Sequence, residues 1–215
     1  MKMNMLYDRI YFFGDSITLG CDDSCSLGWP GRACLGLTRN GRKIAVYNLG
    51  INGDTSEDID VRWYNELTSR KRGSTGLLVF AFGFNDAACK NSDQPQVELE
   101  QSINTARKIM AKAQMISKVL WIGPTPLDEA VNPLDAPNER WFMYNKKIEE
   151  YDLAYAKLAN EMKIDYLSLY QQYLVSPRYQ AALLAGDKVH PDDDGYAMIA
   201  QSVTHWKAWK ALFKD

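Results

Sequence analysis

The strongest indication of the fold is the segment Tyr11-Phe12-Phe13-Gly14-Asp15-Ser16-Ile17-Thr18-Leu19-Gly20. An apolar run with strand character ends at Gly14, where the absence of a side chain lets the backbone turn sharply. Ser16 follows two residues later, just beyond the carboxyl end of the expected strand. In open α/β folds this edge of the sheet is where ligands bind. Ser16 is therefore a candidate nucleophile, although a Gly-Asp-Ser tripeptide is by itself also typical of an ordinary turn.

Similar apolar runs recur along the chain and alternate with helical stretches. The predicted strands cover residues 10–14, 44–49, 77–82, 119–123 and 164–169, and the predicted helices cover residues 29–39, 56–71, 97–117, 138–162 and 195–213. Strand–helix alternation is typical of a parallel sheet with helices on both faces. We therefore expect an α/β fold: a three-layer α/β/α sandwich with a five-stranded parallel sheet, flavodoxin-like, in a single domain over residues 1–215.

Composition and charge exclude several classes of protein. The 215 residues are 46% hydrophobic and 24% charged, which is enough apolar material for one large core and argues against disorder. The formal net charge of −2 gives no electrostatic reason to expect nucleic acid or an anionic membrane surface as a partner. No apolar run approaches the roughly 20 residues that span a bilayer, and no signal-peptide core is visible. We expect a cytoplasmic protein, and the oligomeric state has no signal in the sequence.

The four cysteines carry no clear metal or disulfide pattern. They are Cys21, Cys25, Cys34 and Cys89. Cys21 and Cys25 share a polar loop in which a disulfide or a metal clip is conceivable, but without a secretion signal reduced thiols are favoured. A zinc site needs four ligands, and neither of the two histidines is near these cysteines in the sequence. We expect no metal, and whether any of the thiols pair stays open.

The two histidines differ in their surroundings. A serine nucleophile needs a base, which histidine supplies most often. His205 lies inside the last predicted helix, which is typical of a partly exposed helical residue. His190 lies in the loop Gly186-Asp187-Lys188-Val189-His190-Pro191, just before that helix, and is the better candidate for the base. The three aspartates that follow, at 192–194, fit helix capping better than metal binding.

Asp187 precedes His190 by three residues. A tight loop can fold its carboxylate back onto Nδ1 of the imidazole, which would fix the tautomer and stabilise the imidazolium formed during attack. The alternative is that Asp187 only closes a turn after Gly186.

A serine mechanism also needs hydrogen-bond donors for the developing oxyanion, and two further loops contain candidates. In residues 48–55, Gly53 can expose its backbone N–H just before a helix that begins with a Thr55–Asp58 capping-box pattern. In residues 82–86, Asn85 can present a side-chain amide. Each loop taken alone also fits an ordinary turn.

Together the four segments resemble the signature blocks of the SGNH (GDSL-type) hydrolase family, in order and at sensible separations. Ser16 matches the nucleophile of the first block, Gly53 the glycine of the second and Asn85 the asparagine of the third, while Asp187 and His190 match the fourth. The resemblance implies a flavodoxin-like sandwich and ester hydrolysis without a metal or an organic cofactor. It further implies an oxyanion hole made by the N–H groups of Ser16 and Gly53 and the amide of Asn85.

The expected activity is therefore that of a serine esterase acting through an acyl-enzyme. The substrate stays open among short acyl esters, lysophospholipids and acetylated sugars. Two alternatives use the same site: a catalytically silent binding module for an acylated ligand or sugar, and an acyltransferase. An ordinary α/β-hydrolase fits poorly, because no Gly-x-Ser-x-Gly elbow surrounds the serine.

Four apolar residues near the strand ends are candidates for an acyl pocket, although they suit packing at the sheet edge equally well. They are Trp29, Phe84, Leu127 and Val189. Phe84 is also a departure from the family pattern, since it replaces the usual small or hydroxyl residue before the asparagine. This departure concerns the shape of the pocket rather than the chemistry.

Overall fold

Strands and helices alternate along the chain in a computed structural model, which describes residues 7–39, 43–71, 73 and 76–213. The strands are β1 Arg9–Gly14, β2 Ala45–Gly50, β3 Leu77–Ala81, β4 Cys89–Lys90, β5 Val119–Ile122, β6 Leu134–Ala136, β7 Glu139–Phe142 and β8 Asp165–Leu167. The helices are α1 Ser16–Leu19, α2 Gly28–Arg39, α3 Ser56–Lys71, α4 Phe84–Ala87, α5 Leu99–Gln114, α6 Asn145–Met162, α7 Tyr170–Leu174, α8 Pro177–Ala185, α9 Asp193–His205 and α10 Lys207–Leu212.

Five strands form one parallel sheet in the order β2-β1-β3-β5-β8. The register pairs Gly14 with Gly50 on one side and with Ala81 on the other, and it pairs Ile122 with Leu167. The carboxyl ends of the strands therefore meet at one edge of the sheet. This arrangement confirms the predicted five-stranded parallel sheet and its strand positions.

The sheet separates two apolar cores. Because successive side chains of a strand point to opposite faces, Tyr11 and Phe13 enter one core while Ile10 and Phe12 enter the other. Residues of α3, α5 and α6 complete the first core, and residues of α2, α8, α9 and α10 complete the second. The result is the expected three-layer α/β/α sandwich.

Two predicted helices have clearly different bounds in the structure, and a third, predicted over residues 97–117, is shortened to Leu99–Gln114. The predicted helix 138–162 begins only at Asn145, because residues Glu139–Phe142 are held as a strand between β4 and β6. The predicted helix 195–213 begins at Asp193 and is interrupted at Trp206, whose backbone is extended with φ −63° and ψ 133°. Helices α7 and α8 were not predicted.

A second, small sheet lies beside the carboxyl edge of the main one. It is antiparallel, with the order β4-β7-β6, and β6 belongs to the proline-containing segment 124–139. Its strands are short, and their partners lie far apart in sequence: Cys89 pairs with Phe142 and Lys90 with Trp141.

The start of α3 has the predicted capping box. The Thr55 hydroxyl accepts from the Asp58 N–H at 3.3 Å, and the Asp58 carboxylate accepts from the Thr55 N–H at 2.9 Å. Asp192 similarly caps α9 through the N–H groups of Asp194 and Gly195. The expected capping roles at both helices are thereby confirmed.

None of the four cysteines, all of which are among the described residues, takes part in a disulfide. Within the described ranges, no helix combines the length and the apolar character that crossing a membrane requires.

Candidate active site

The serine of the opening stretch lies where the strand turns into a helix. Ser16 is the first residue of α1, two positions beyond the end of β1 at Gly14. A Cβ atom on Gly14 would lie 2.2 Å from the Thr18 hydroxyl oxygen, so only glycine lets the helix begin this close to the strand. The Asp15 carboxylate caps α1 by accepting from the Ile17 N–H at 3.1 Å. This turn presents Ser16 at the carboxyl edge of the sheet.

The loop before α9 folds an aspartate back onto a histidine. His190 Nδ1 lies 2.8 Å from Asp187 Oδ2, while the other carboxylate oxygen accepts from the N–H groups of Val189 at 2.9 Å and His190 at 2.6 Å. Lys188 has φ +76°, which completes the tight turn. Three hydrogen bonds thus hold the carboxylate against the imidazole and orient the ring.

One open cleft of about 670 Å³ brings the candidate residues together. Ser16, Gly53, Asn85, Asp187 and His190 all line it. Nε2 of His190 is buried and has no hydrogen-bond partner within the described part of the chain. No protein group among the described residues therefore occupies this nitrogen.

The candidate oxyanion donors come from the start of α1, the loop before α3 and the short helix α4. Gly53 has φ +84°, a backbone conformation that strains residues with a side chain. Asn85 donates from Nδ2 to the Asp54 carbonyl at 3.0 Å, so that one amide hydrogen joins α4 to the loop before α3. Among the described residues, no hydrogen bond from the N–H of Ser16 or Gly53 to a protein acceptor is present.

A buried carboxylate, which no sequence pattern singled out, holds the short helix α4 that carries Asn85. Asp86 is completely buried and accepts from the Ser56 N–H at 2.8 Å and from the Ser102 hydroxyl at 2.7 Å, as well as from the Ser56 hydroxyl. The Ser102 hydroxyl also bonds to the Tyr155 hydroxyl. Asp86 therefore connects α4 to α3 and α5. In the sequence, only its position directly after Asn85 pointed to Asp86 as part of the site.

Arg62 is a second residue that no local pattern indicated. From α3 it donates to the carbonyl oxygens of Leu49 at 2.8 Å and Gly14 at 3.1 Å, and it pairs with the Asp54 carboxylate at 2.6 Å. Gly14 ends β1, Leu49 is the next-to-last residue of β2, and Asp54 follows Gly53. One planar guanidinium thus holds two of the site loops in a fixed relation.

Two carboxyl groups at the site have pKa values that are shifted in opposite directions. Burial raises the pKa of Asp15 to about 7, although the hydrogen bond from the Ile17 N–H opposes the shift. Burial also acts to raise the pKa of Asp187, but the hydrogen bonds from the His190 ring and backbone outweigh it and lower the pKa to about 2. Asp187 is therefore an anion next to the imidazole at any ordinary pH.

Within the described part of the chain, two groups of side chains have the composition of a metal site, namely Asp22 with Asp187 and His190, and Asp23 with Cys25 and Asp193. Protein partners already occupy their main ligand atoms. His190 Nδ1 bonds to Asp187, the Asp23 carboxylate pairs with Arg32, and the Asp193 carboxylate accepts from the Ser24 N–H at 2.8 Å. Both groups therefore have a structural explanation within the protein.

The four candidate pocket residues have different locations. Phe84 and Val189 line the cleft. Trp29 lines a small apolar cavity of about 20 Å³ that shares Phe84 with the cleft, and Leu127 is buried in the core. The structure therefore brings Phe84 and Val189 to the candidate site and places Trp29 in the cavity beside it, whereas Leu127 packs away from it.

Comparison with known proteins identifies the family. Residues 12–198 match the GDSL-like lipase/acylhydrolase family. The chain belongs to this family and is a carboxylic ester hydrolase. It is 24% identical over 216 residues to an acetylxylan esterase from Geobacillus stearothermophilus, and the match covers 91% of each chain.

Solved structures share the fold. A lipase/acylhydrolase from Enterococcus faecalis superposes with a TM-score of 0.74 at 23% identity, over 91% of this chain and 93% of the other. A catalytic mutant of an acetylxylan esterase from Geobacillus stearothermophilus superposes with a TM-score of 0.70 at 20% identity, over 94% of each chain.

Proposed function

We propose that this protein is a serine esterase that removes short acyl groups, acetyl above all, from a carbohydrate alcohol. The observation that carries the proposal is the shared cleft, in which Ser16 lies with the hydrogen-bonded Asp187–His190 pair and with the donors of Gly53 and Asn85. These are the groups that acyl transfer to a serine requires.

The proposed reaction begins with attack of the Ser16 hydroxyl oxygen on the acyl carbon, while Nε2 of His190 takes the proton. Asp187 keeps Nδ1 protonated and stabilises the imidazolium. The N–H groups of Ser16 and Gly53 and the amide of Asn85 bind the oxyanion of the tetrahedral intermediate. His190 then protonates the departing alcohol oxygen, and a water molecule repeats both steps on the acyl-enzyme to release the acid and free Ser16.

The charges of the cleft favour a neutral alcohol. Of the described residues that line it, four have acidic side chains, Asp54, Asp58, Glu139 and Asp187, and one, Lys90, has an ammonium group. An excess of negative charge repels the phosphate of a lysophospholipid. The carbohydrate is further supported by the acetylxylan esterases among the relatives.

The size of the apolar cavity favours a short acyl group. The cavity beside Phe84 has a volume of about 20 Å³. A space of this size holds about one water molecule, which is too little for a long acyl chain.

The proposal is tested with three substrates: p-nitrophenyl acetate, p-nitrophenyl palmitate and acetylated xylotriose. We expect hydrolysis of both acetates, little hydrolysis of the palmitate, and no change on addition of EDTA. A fluorophosphonate probe should label Ser16 in the wild type and not in Ser16→Ala. Preference for the palmitate would contradict the proposed substrate, and loss of activity with EDTA would contradict the metal-free mechanism. A folded wild type that neither reacts with the probe nor cleaves an ester would indicate a binding module.

Added alcohol separates hydrolysis from acyl transfer. If the enzyme is a hydrolase, acetate should remain the main product when methanol or free xylotriose is present. An acylated acceptor as the main product would instead identify an acyltransferase that uses the same site.

A further inference from the structure

One complete face of the small antiparallel sheet fronts the cleft. Residues that pair directly across antiparallel strands, and residues two positions apart on one strand, lie on the same face. Lys90 and Leu134 both pair with Trp141, and Ala136 pairs with Glu139, two positions from Trp141. All five of these residues line the cleft that contains Ser16 and His190.

The other face of the same sheet points away from the cleft. It carries Cys89, Asp135, Arg140 and Phe142, and none of these described residues lines the cleft. Asp135 and Arg140 form an exposed ion pair there, with 2.7 Å between Arg140 Nε and Asp135 Oδ1. The sheet therefore has a clear front and back with respect to the candidate active site.

Three side chains of the front face form a connected group, which we call the rim cluster: Lys90, Glu139 and Trp141. Lys90 Nζ lies 2.6 Å from Glu139 Oε1 and 5.1 Å from the centre of the Trp141 ring. The Trp141 indole N–H donates to Glu139 Oε2 at 3.2 Å. Each member of the cluster is thus positioned by the other two.

The rim cluster is not explained by stability alone. Lys90 and Glu139 keep 38% and 37% of their side-chain surface exposed, and ion pairs with this much exposure contribute little to folding. An aromatic ring beside a charged pair, held together in a cleft, instead has the features of a binding site: an apolar surface with a few fixed polar groups. Because the groups are already ordered, little side-chain entropy is lost when a ligand binds.

We propose that the rim cluster is the recognition site for the alcohol part of the ester, and that it selects a sugar ring. This inference rests on the proposed function. The Glu139 carboxylate accepts hydrogen bonds from ring hydroxyls, and the Lys90 ammonium donates to them. The exposed part of the indole covers the apolar C–H groups of the ring. The paired charges cancel, which suits a neutral sugar rather than an anionic one.

The test compares two acetyl esters that share the acyl group and differ in the alcohol. Steady-state kinetics are measured on acetylated xylotriose and on p-nitrophenyl acetate for the wild type, Glu139→Gln, Trp141→Phe and Lys90→Met. For the sugar ester, kcat/KM should fall by about tenfold in Glu139→Gln and Lys90→Met, mainly through KM, since a hydrogen bond to a charged group is lost. Trp141→Phe should lower it in the same direction, because the smaller ring covers less of the apolar surface of the sugar. For p-nitrophenyl acetate, which has no hydroxyls, kcat/KM should stay within about twofold because the reacting groups are untouched.

Arg140→Gln is the matched control, because it changes a charge on the back face of the same sheet. It should leave both substrates unaffected, and thermal melts verify that each variant folds. Glu139→Gln preserves the side-chain shape, so it remains informative if Trp141→Phe is unstable. Equal losses on both substrates, or an unchanged sugar ester in the folded variants, would overturn the inference.

Binding of unmodified xylotriose, measured by calorimetry, separates this inference from the proposed reaction. If the wild type cleaves neither ester, the proposed function fails, yet tighter xylotriose binding by the wild type than by Glu139→Gln would still support the rim cluster as a sugar site. If the wild type cleaves p-nitrophenyl acetate but neither cleaves the sugar ester nor binds xylotriose, the esterase stands and the sugar site is rejected.

Discussion

Arg62 donates a hydrogen bond from Nη2 to the carbonyl oxygen of Gly14 at 3.1 Å, although 48 residues separate the two in the sequence. Gly14 ends the strand that leads to Ser16. The same guanidinium binds the carboxylate of Asp54, which follows Gly53. The relative positions of two proposed oxyanion donors, the N–H groups of Ser16 and Gly53, therefore depend on Arg62, which does not line the cleft.

Replacing Arg62 with lysine should slow the reaction without preventing folding. Lysine keeps the positive charge but has a single ammonium group, which cannot bond Gly14, Leu49 and Asp54 in the same geometry. Because small displacements of catalytic groups are costly, we expect kcat to fall by about tenfold or more with little change in KM. Kinetics on p-nitrophenyl acetate measure this. Arg70→Lys on the same helix is the control, and a folded Arg62→Lys with wild-type kcat would refute the positioning role.

Asn85→Ala should lower both activity and stability. The proposed donor acts on charge that appears in the transition state, so kcat should fall by about 10²–10³ while KM changes little. The loss of the bond to the Asp54 carbonyl should also lower the melting temperature. Asn85→Asp should be slower still, because it places a carboxylate near the forming oxyanion. Both variants are examined by kinetics and thermal melts, and a folded Asn85→Ala that retains most of its kcat would remove Asn85 from the site.

The two histidines should differ in their effect on the pH profile. His190 must be neutral to accept a proton, so kcat/KM should rise with pH along one limb in the wild type. Asp187, with a pKa of about 2, stays ionised throughout this range and adds no second limb. His190→Ala should lose most of the activity, and the rise of kcat/KM with pH should disappear with it. His205 is exposed at the end of α9, so His205→Ala should keep both the activity and its rise with pH. Similar losses in the two variants would show that the base is misassigned.

Asp15→Asn should change how stability depends on pH. The pKa of Asp15 is about 7 in the folded chain, against an ordinary value of 3.8, so between about pH 4 and 7 the folded state holds a proton that the unfolded state has released. The wild type therefore loses stability as the pH rises through this window, by up to about 4 kcal/mol. Asparagine can still accept the Ile17 hydrogen bond but carries no charge.

The measurement for Asp15 is urea unfolding of both proteins at pH 5 and pH 8. Asp15→Asn should gain stability relative to the wild type at the higher pH, while the kcat/KM limb assigned to His190 persists. If the difference in unfolding free energy between the two proteins is the same at pH 5 and at pH 8, Asp15 does not titrate in this window.

Local sequence determined the main sheet and the four segments of the candidate site. Buried parallel strands are continuous apolar runs, and the glycines and polar residues that follow them can be recognised without knowing any partner. Since the carboxyl ends of parallel strands share one edge, Ser16, Gly53 and Asn85 could be expected to meet there. The Asp187–His190 pair could be predicted because its two members lie three residues apart.

The remaining parts of the site depend on contacts between elements that are far apart in the sequence. Residues 139–142 became a strand because β4, about fifty positions earlier, and β6 supply its hydrogen-bond partners, which no local pattern records. The same pairing places Lys90, Glu139 and Trp141 on one face. Arg62 and Asp86 act through partners on other strands and helices. A local pattern specifies which face of an element is apolar, whereas these contacts depend on which elements the packed core brings together.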